Sequence, residues 1–170
     1  TTTQVIPHKH GHILANVHLA GKAEIEAACQ AAIDAQSDWI DLGLEARCAI
    51  FERAAEMLAG DWRMKVNAST MLNQSKTAFQ AEIDSACELI DFWNFNCHYA
   101  REFHDMYQPL VSPTGVKNST EIRPLEGFIL AITPFNFSSI AANLPSAPAI
   151  LGNTAVWKPS RNSYHSNYVL

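Results

Sequence analysis

Two short apolar runs, "FILAI" at 128–132 and "TAVWK" at 154–158, flank a stretch, 133–153, that carries no charged residue. This arrangement restricts the fold more than any other part of the chain. A brief run of apolar residues suits a strand covered on both faces, as in a parallel sheet. Parallel neighbours need a crossover, usually a helix, and that crossover is normally right-handed. Residues 138–151 read as such a helix, with a kink at Pro145 near its centre. The chain therefore reads as α/β, with too few further strands to complete the sheet.

The preceding residues follow a different period. From Lys22 to about Ile40, the positions Ile25, Ala28, Cys29, Ala32, Ile33 and Gln36 recur every three or four residues, the spacing of an amphipathic helix. A second helix is expected from about Leu44 to Leu58, with Ile50, Ala54 and Leu58 on one face and Gly60 as its stop. A third runs from Trp62 to Leu72. The longest covers roughly Thr77 to His104, with Phe79, Ile83, Ala86, Ile90, Trp93 and Cys97 along one face. Core packing is the simpler account of its aromatic content, although such a helix could also wall a pocket.

The spacing divides the chain into an extended arm or short strands over 1–20, a helical part over 21–108, a linker over 109–126, and the strand–helix–strand unit over 127–170. Gly11 reads as the turn between "TQVIP" and "ILANVHLA". "GVKNSTEIRPL" reads as a segment with a strand that ends before Pro124.

Composition narrows the function classes. At 170 residues, a net charge of −5, 48% hydrophobic and 17% charged, the chain falls among ordinary globular proteins. No basic run supplies a nucleic-acid footprint. No apolar stretch reaches the roughly 18–20 residues of a spanning helix; the nearest approach, 137–157, is interrupted by Asn143, Pro145, Pro148, Gly152 and Asn153. Cys29, Cys48, Cys87 and Cys97 form no CxxC pair, so reduced thiols and the reducing interior of a cell are favoured. His8, His10, His12 and His18 lack interleaved carboxylates or cysteines, and exposed turn residues account for them better than a metal site.

The chemistry concentrates where the first strand ends. A loop at the carboxyl end of a parallel strand faces the crevice where ligands bind, and "TPFNFS" stands there. The amide of Asn136 can donate to an oxygen that gains negative charge, and Phe135 and Phe137 would exclude water and strengthen that bond. Asparagine is equally a favoured helix cap, and spacing alone favours the cap. Lys158 ends the second strand, where its ammonium can reach a ribose hydroxyl or a phosphate, or simply meet solvent. Neither a Gly-x-Gly-x-x-Gly fingerprint nor a phosphate loop is present.

The segments "TMLNQSKTAFQAEIDSACELIDFWNFNCHYA" at 70–100, "RPLEGFILAITPFNFSSIAANLPSAPAILGNTAVWKPS" at 123–160 and "SNY" at 166–168 resemble the amino-terminal part of the aldehyde dehydrogenase superfamily. The nearest likeness is to the branch that oxidises glutamate γ-semialdehyde, the open form of 1-pyrroline-5-carboxylate, in proline breakdown. The resemblance implies an amino-terminal helical segment and the start of a Rossmann-like parallel-sheet domain that binds NAD. It also implies Asn136 as oxyanion donor, Phe137 beside the substrate, Thr133 and Lys158 on the cofactor, and Glu82 near the pocket. A small-molecule aldehyde as substrate and a homo-oligomer built through the early arm and the 109–126 segment belong to the same expectation. So does a mitochondrial matrix location in a eukaryote, or a cytoplasmic one otherwise.

Departures bear on this. The family's Gly-Gln-Gly-Lys-Thr is Asn73-Gln74-Ser75-Lys76-Thr77 here, which puts side chains where unusual dihedrals or close packing are expected. The family's nucleophilic cysteine and general-base glutamate lie downstream of the matched segments, so none of the four cysteines is expected to be the nucleophile, and this stretch alone is expected to be inactive. The competing reading is a non-catalytic binding or assembly module that keeps the same sheet.

Overall fold

The computed structural model describes residues 1–109 and 111–170. The first element is an antiparallel hairpin of β1 (Thr2–Ile6) and β2 (Lys9–Val17), with register running from Thr2↔Val17 to Ile6↔Lys9. The turn falls at Pro7-His8 and not at Gly11, which lies inside β2. Proline has no N–H for a ladder, so the chain reverses where pairing would otherwise need one.

The stretch from Lys22 is helical but divided at Ala35 into α1 (Lys22–Asp34) and α2 (Gln36–Asp41). Glu24 opens α1 by accepting from the Gly21 N–H at 2.8 Å. Of the expected apolar face only Ala32 is buried, and Ile25 and Ile33 stay exposed. The next helix, α3 (Gly43–Ala59), stops at Gly60 as expected. Its inward residues are Cys48, Ala55 and Leu58, while Ile50 is 48% exposed. A series spaced strictly by four overshoots a full turn by about 40° per step, so Ile50, Ala54 and Leu58 drift around the helix: Leu58 lies in the core, Ala54 packs half-buried against it, and Ile50 stays outside.

Helix α4 (Arg63–Gln74) ends on Ser75, which is left-handed at φ 54°. Thr77 then caps the long helix: its hydroxyl accepts from the Gln80 N–H, and the Gln80 side chain accepts from the Thr77 N–H at 3.0 Å. The long helix is continuous but not uniform. A short α5 (Ala78–Ala81) passes into a π-helical turn, Glu82–Cys87, and then into α6 (Glu88–Met106). The wider turn breaks the expected stripe. Ala86, Trp93 and Cys97 are buried, whereas Phe79 is 75% exposed and Ile83 is 38% exposed.

The core lies among these helices. Leu89 and Trp93 of α6 pack with Ala55 and Leu58 of α3, Val66 of α4, and Ala142 of α7 (Ser138–Ile150). Cys48, Cys97, Ala100 and Ile150 form an adjoining cluster, with Phe51 packed against both. The Trp93 indole N–H donates to Ser146 Oγ at 2.9 Å, which satisfies the polar atom of a buried aromatic.

The strand pair matches the sequence limits: β3 (Phe128–Ile132) and β4 (Thr154–Lys158) are parallel, paired from Phe128↔Thr154 to Ile132↔Lys158, with α7 as the crossover. Pro145 and Pro148 both lie inside α7. The Asn153 backbone and side-chain N–H groups end the crossover by donating to the Pro148 carbonyl, each at 3.0 Å. Coverage of the pair differs from expectation. Ala131 is buried, but Leu130 and Ile132, which alternate with it, are 57% and 61% exposed.

No strand forms among the described residues of 111–126. The side chain of Gln108 accepts from the Thr120 N–H and donates to the Thr120 carbonyl, the two groups a neighbouring strand would engage. The last helix is α8 (Tyr164–Val169). Among the described residues no helix is long and apolar enough to cross a membrane, and no three metal-ligating side chains converge.

Candidate active site

The carboxyl ends of β3 and β4 gather most of the expected residues. The Thr133 N–H donates to the Lys158 carbonyl at 3.3 Å, which continues the ladder one step beyond the strands. Thr133 is buried, and its hydroxyl accepts from the Trp157 indole N–H at 3.0 Å, leaving its own proton for another acceptor. Lys158 ends the exposed tip of β4 and borders a cavity of 840 Å³, shared with Val156, Pro159, Tyr164, His165 and Tyr168.

Asn136 stands exposed in the loop between β3 and α7. The structure removes the capping alternative. The N-cap of α7 is Phe137, in an extended conformation at φ −135°, and no side chain caps the helix. The Ala141 N–H donates to the Phe137 carbonyl at 3.1 Å, so the helix begins without help from the Asn136 amide. Among the described residues the Asn136 side chain has no hydrogen-bond partner. Phe137 beside it is half-buried.

Glu82 takes a different place. It opens the π turn and faces α4, where Arg63 Nε donates to its Oε1 at 2.7 Å and Asn67 Nδ2 donates to its Oε2. The Arg63 hydrogen bonds, aided by Asn67, hold its carboxyl below the ordinary carboxylate range against a smaller effect of burial. The sequence-expected set is therefore split: Thr133, Asn136, Phe137 and Lys158 share one strand end, and Glu82 is anchored to a neighbouring helix.

Two residues that sequence reasoning passed over connect these parts. Lys76 Nζ donates to Asp84 Oδ2 in the π turn and to the Asn136 carbonyl, and it lies 4.4 Å from the centroid of the Phe137 ring. No helical i, i+4 rule finds this ion pair, because Lys76 precedes the helix start and Asp84, eight residues on, lies inside the π turn. The available signal was the capping box that begins at Thr77, which fixes Lys76 at a sharp junction. Around it, Thr70, Gln74, Ser138 and Ser166 form a buried polar network, with Thr70 Oγ1 and Ser138 Oγ 2.9 Å apart and Gln74 Nε2 donating to Ser138 at 2.8 Å. Asn73 extends it: its Oδ1 accepts from the Ser166 N–H at 2.9 Å.

Cys48, Cys87 and Cys97 are all held towards the neutral thiol. Burial pushes Cys97 up to about 12 and raises Cys48. Cys87 is raised by burial and then by the neighbouring Glu82 charge. A nucleophilic thiol needs the opposite shift.

A family model described as "Aldehyde dehydrogenase family" matches residues 1–170. The chain is 45% identical over 167 residues to the human protein named "Delta-1-pyrroline-5-carboxylate dehydrogenase, mitochondrial", covering 98% of this chain and 29% of that one. It is 43% identical to the Agaricus bisporus protein named "Delta-1-pyrroline-5-carboxylate dehydrogenase", covering 98% of this chain and 30% of the relative. The crystal structure of the Delta-pyrroline-5-carboxylate dehydrogenase from Mycobacterium tuberculosis bound with NAD superposes with a TM-score of 0.95 at 50% identity, over 99% of this chain and 31% of that one. The chain thus spans about 30% of the length of the curated relatives it matches.

Proposed function

The chain belongs to the aldehyde dehydrogenase family, and from that premise we propose that the protein containing it oxidises L-glutamate γ-semialdehyde to glutamate with NAD. Its α/β fold is the amino-terminal helical region and the start of the parallel sheet of that family. The observation that carries the reading is Asn136: an amide without a hydrogen-bond partner among the described residues, at the carboxyl end of a parallel strand, beside a helix that needs no cap from it.

In this reading Asn136 donates its amide N–H to the aldehyde oxygen as that oxygen gains negative charge, and Phe137 shields the bond from water. Such a donor acts most strongly where competing water is excluded. NAD supplies the hydride acceptor. The local chemistry fits the cofactor: Thr133 retains a free hydroxyl proton, and Lys158 places an ammonium at the rim of a large cavity. We assign to Lys158 the ribose hydroxyls or phosphate oxygens, and to Thr133 an acceptor atom nearer the reacting end. Glu82, already bound by Arg63 and Asn67, contributes to the pocket by holding the π turn against α4. Residues 127–170 form the first strand–helix–strand unit of the cofactor domain, and the hairpin and the 109–126 segment contribute to a homo-oligomer. The compartment is the mitochondrial matrix in a eukaryotic source and the cytoplasm otherwise.

The test uses the complete protein. Asn136→Ala should lower kcat by about two to three powers of ten, the loss of roughly 3–4 kcal/mol expected for one oxyanion donor, with NAD affinity unchanged. Equal losses in turnover and NAD binding would mean that Asn136 is structural. For the substrate, catalytic efficiency should favour glutamate semialdehyde over a simple aliphatic aldehyde of similar length, because a pocket built for a charged amino acid leaves polar groups unpaired around an alkyl chain. Equal efficiencies would exclude this substrate and leave the aldehyde chemistry standing.

A further inference from the structure

We propose that Lys76 is the positioning residue for the Asn136 donor, clamping the peptide between Asn136 and Phe137 so that the amide holds one direction; this rests on the oxyanion role of Asn136 proposed above. The loop that carries Asn136 is otherwise weakly held. Thr133 is fixed to Lys158 at one end and the Phe137 carbonyl to Ala141 at the other. Among the described residues, the Lys76 contact to the Asn136 carbonyl is the one hydrogen bond made to residues 134–136.

Lys76 is well suited to hold such a loop. It sits between left-handed Ser75 and the capping residue Thr77, so its backbone is fixed from both sides. Its side chain is 13% exposed and that of its partner Asp84 is 16% exposed. The ammonium engages three groups together: the Asp84 carboxylate, the Asn136 carbonyl and the face of the Phe137 ring. Only a compact cation with several donors does all three, since a neutral amide has no attraction for the ring face. Asp84 balances the charge, which leaves little net field for the reacting oxygen. The contribution is therefore geometric. A donor displaced by about 1 Å costs on the order of 10²-fold in rate.

The decisive measurement is a double-mutant cycle in the complete protein. Lys76→Met alone strands Asp84, so Lys76→Met/Asp84→Asn is made beside it to keep the site neutral. Both should lower kcat by about tenfold to a hundredfold, with KM for the aldehyde and Kd for NAD nearly unchanged, and Lys76→Arg should recover part of the loss. Adding the pair of changes to Asn136→Ala should cost less than about twofold more, because the group being positioned is gone. A full multiplicative loss in that background, or a loss of thermal stability with kcat intact, would overturn the clamp alone. An Asn136→Ala variant with normal turnover would overturn the donor role and the clamp together.

Discussion

Around Leu89 the helices α3, α4, α6 and α7 close on one another, and Leu89, Cys48 and Cys97 have no exposed surface. On β3 the opposite holds, with Leu130 and Ile132 more than half exposed. The first region is held by shape: apolar side chains of several helices fill one another's gaps. The second is held by direction: a parallel ladder, the Thr133–Lys158 step beyond it, and polar contacts from Gln74 and Lys76. Changes in the first should therefore alter stability, and changes in the second should alter chemistry.

The largest effect on stability is expected at Leu89. Leu89→Ala removes a fully buried side chain from the centre of the helical core, for a loss of about 2–5 kcal/mol in unfolding free energy. Turnover per folded molecule should not change. A denaturant midpoint measured with kcat normalised to folded protein checks both halves, and a parallel fall in kcat would break the distinction between the regions.

A smaller effect is expected from pH. Burial lowers the pKa of His165, whose ring nitrogen Nδ1 lies 3.0 Å from Ser69 Oγ. The folded state thus favours the neutral ring. That contribution is present above the unfolded value of about 6.5 and is lost as pH falls from there through the folded pKa. Glu82 is also lowered, through Arg63 first, so its contribution is lost in a separate step below the ordinary carboxylate range. His165→Asn should flatten the first step of a stability–pH curve and leave the second. A curve that keeps both steps would show that another group titrates.

The smallest effect is expected at Ser75. A side chain at φ 54° costs about 1–2 kcal/mol relative to glycine, offset in part by the exposed bond between Ser75 Oγ and His8 Nδ1 at 2.8 Å. Ser75→Gly should raise stability by about 0.5 kcal/mol. A decrease would mean that the hairpin contact outweighs the strain, which would join the hairpin to the site's rigid frame.

What the sequence made legible follows the same division. The limits of β3 and β4 were readable because short apolar runs without helical period have few other solutions, and Gly60 marked the end of α3. Inward faces were less readable. Ile25, Ile33, Ile50 and Phe79 are apolar at helical spacing yet exposed in this chain, because spacing reports a stripe and not what covers it. The strand expected before Pro124 failed for a related reason: a strand exists only with a neighbour, and a Gln108 side chain stands in that place. At the candidate site, residue type identified Asn136 and Lys158. It could not set the cap aside for Asn136 until the backbone of Phe137 was known. Lys76 and Asp84 were invisible because Lys76 lies before the helix and Asp84 lies in a non-α turn that sequence spacing does not reveal.

That π turn sets the rotational phase of one continuous rod. The Glu88 N–H reaches back to the Ile83 carbonyl, five residues away, so the turn holds one residue more than an α-helix would. An α-helix advances about 100° per residue, and the surplus residue acts as an angular offset between the two ends. Below it, Trp93 and Cys97 point into the core; in its first half, Asp84 meets Lys76. Removing a single residue from 82–87 would restore a uniform helix and keep the packing of α6 on α3 and α7. It would also rotate α5 and the start of the turn by about a quarter of a revolution, so the two ends could no longer be in register with the core and the loop at once.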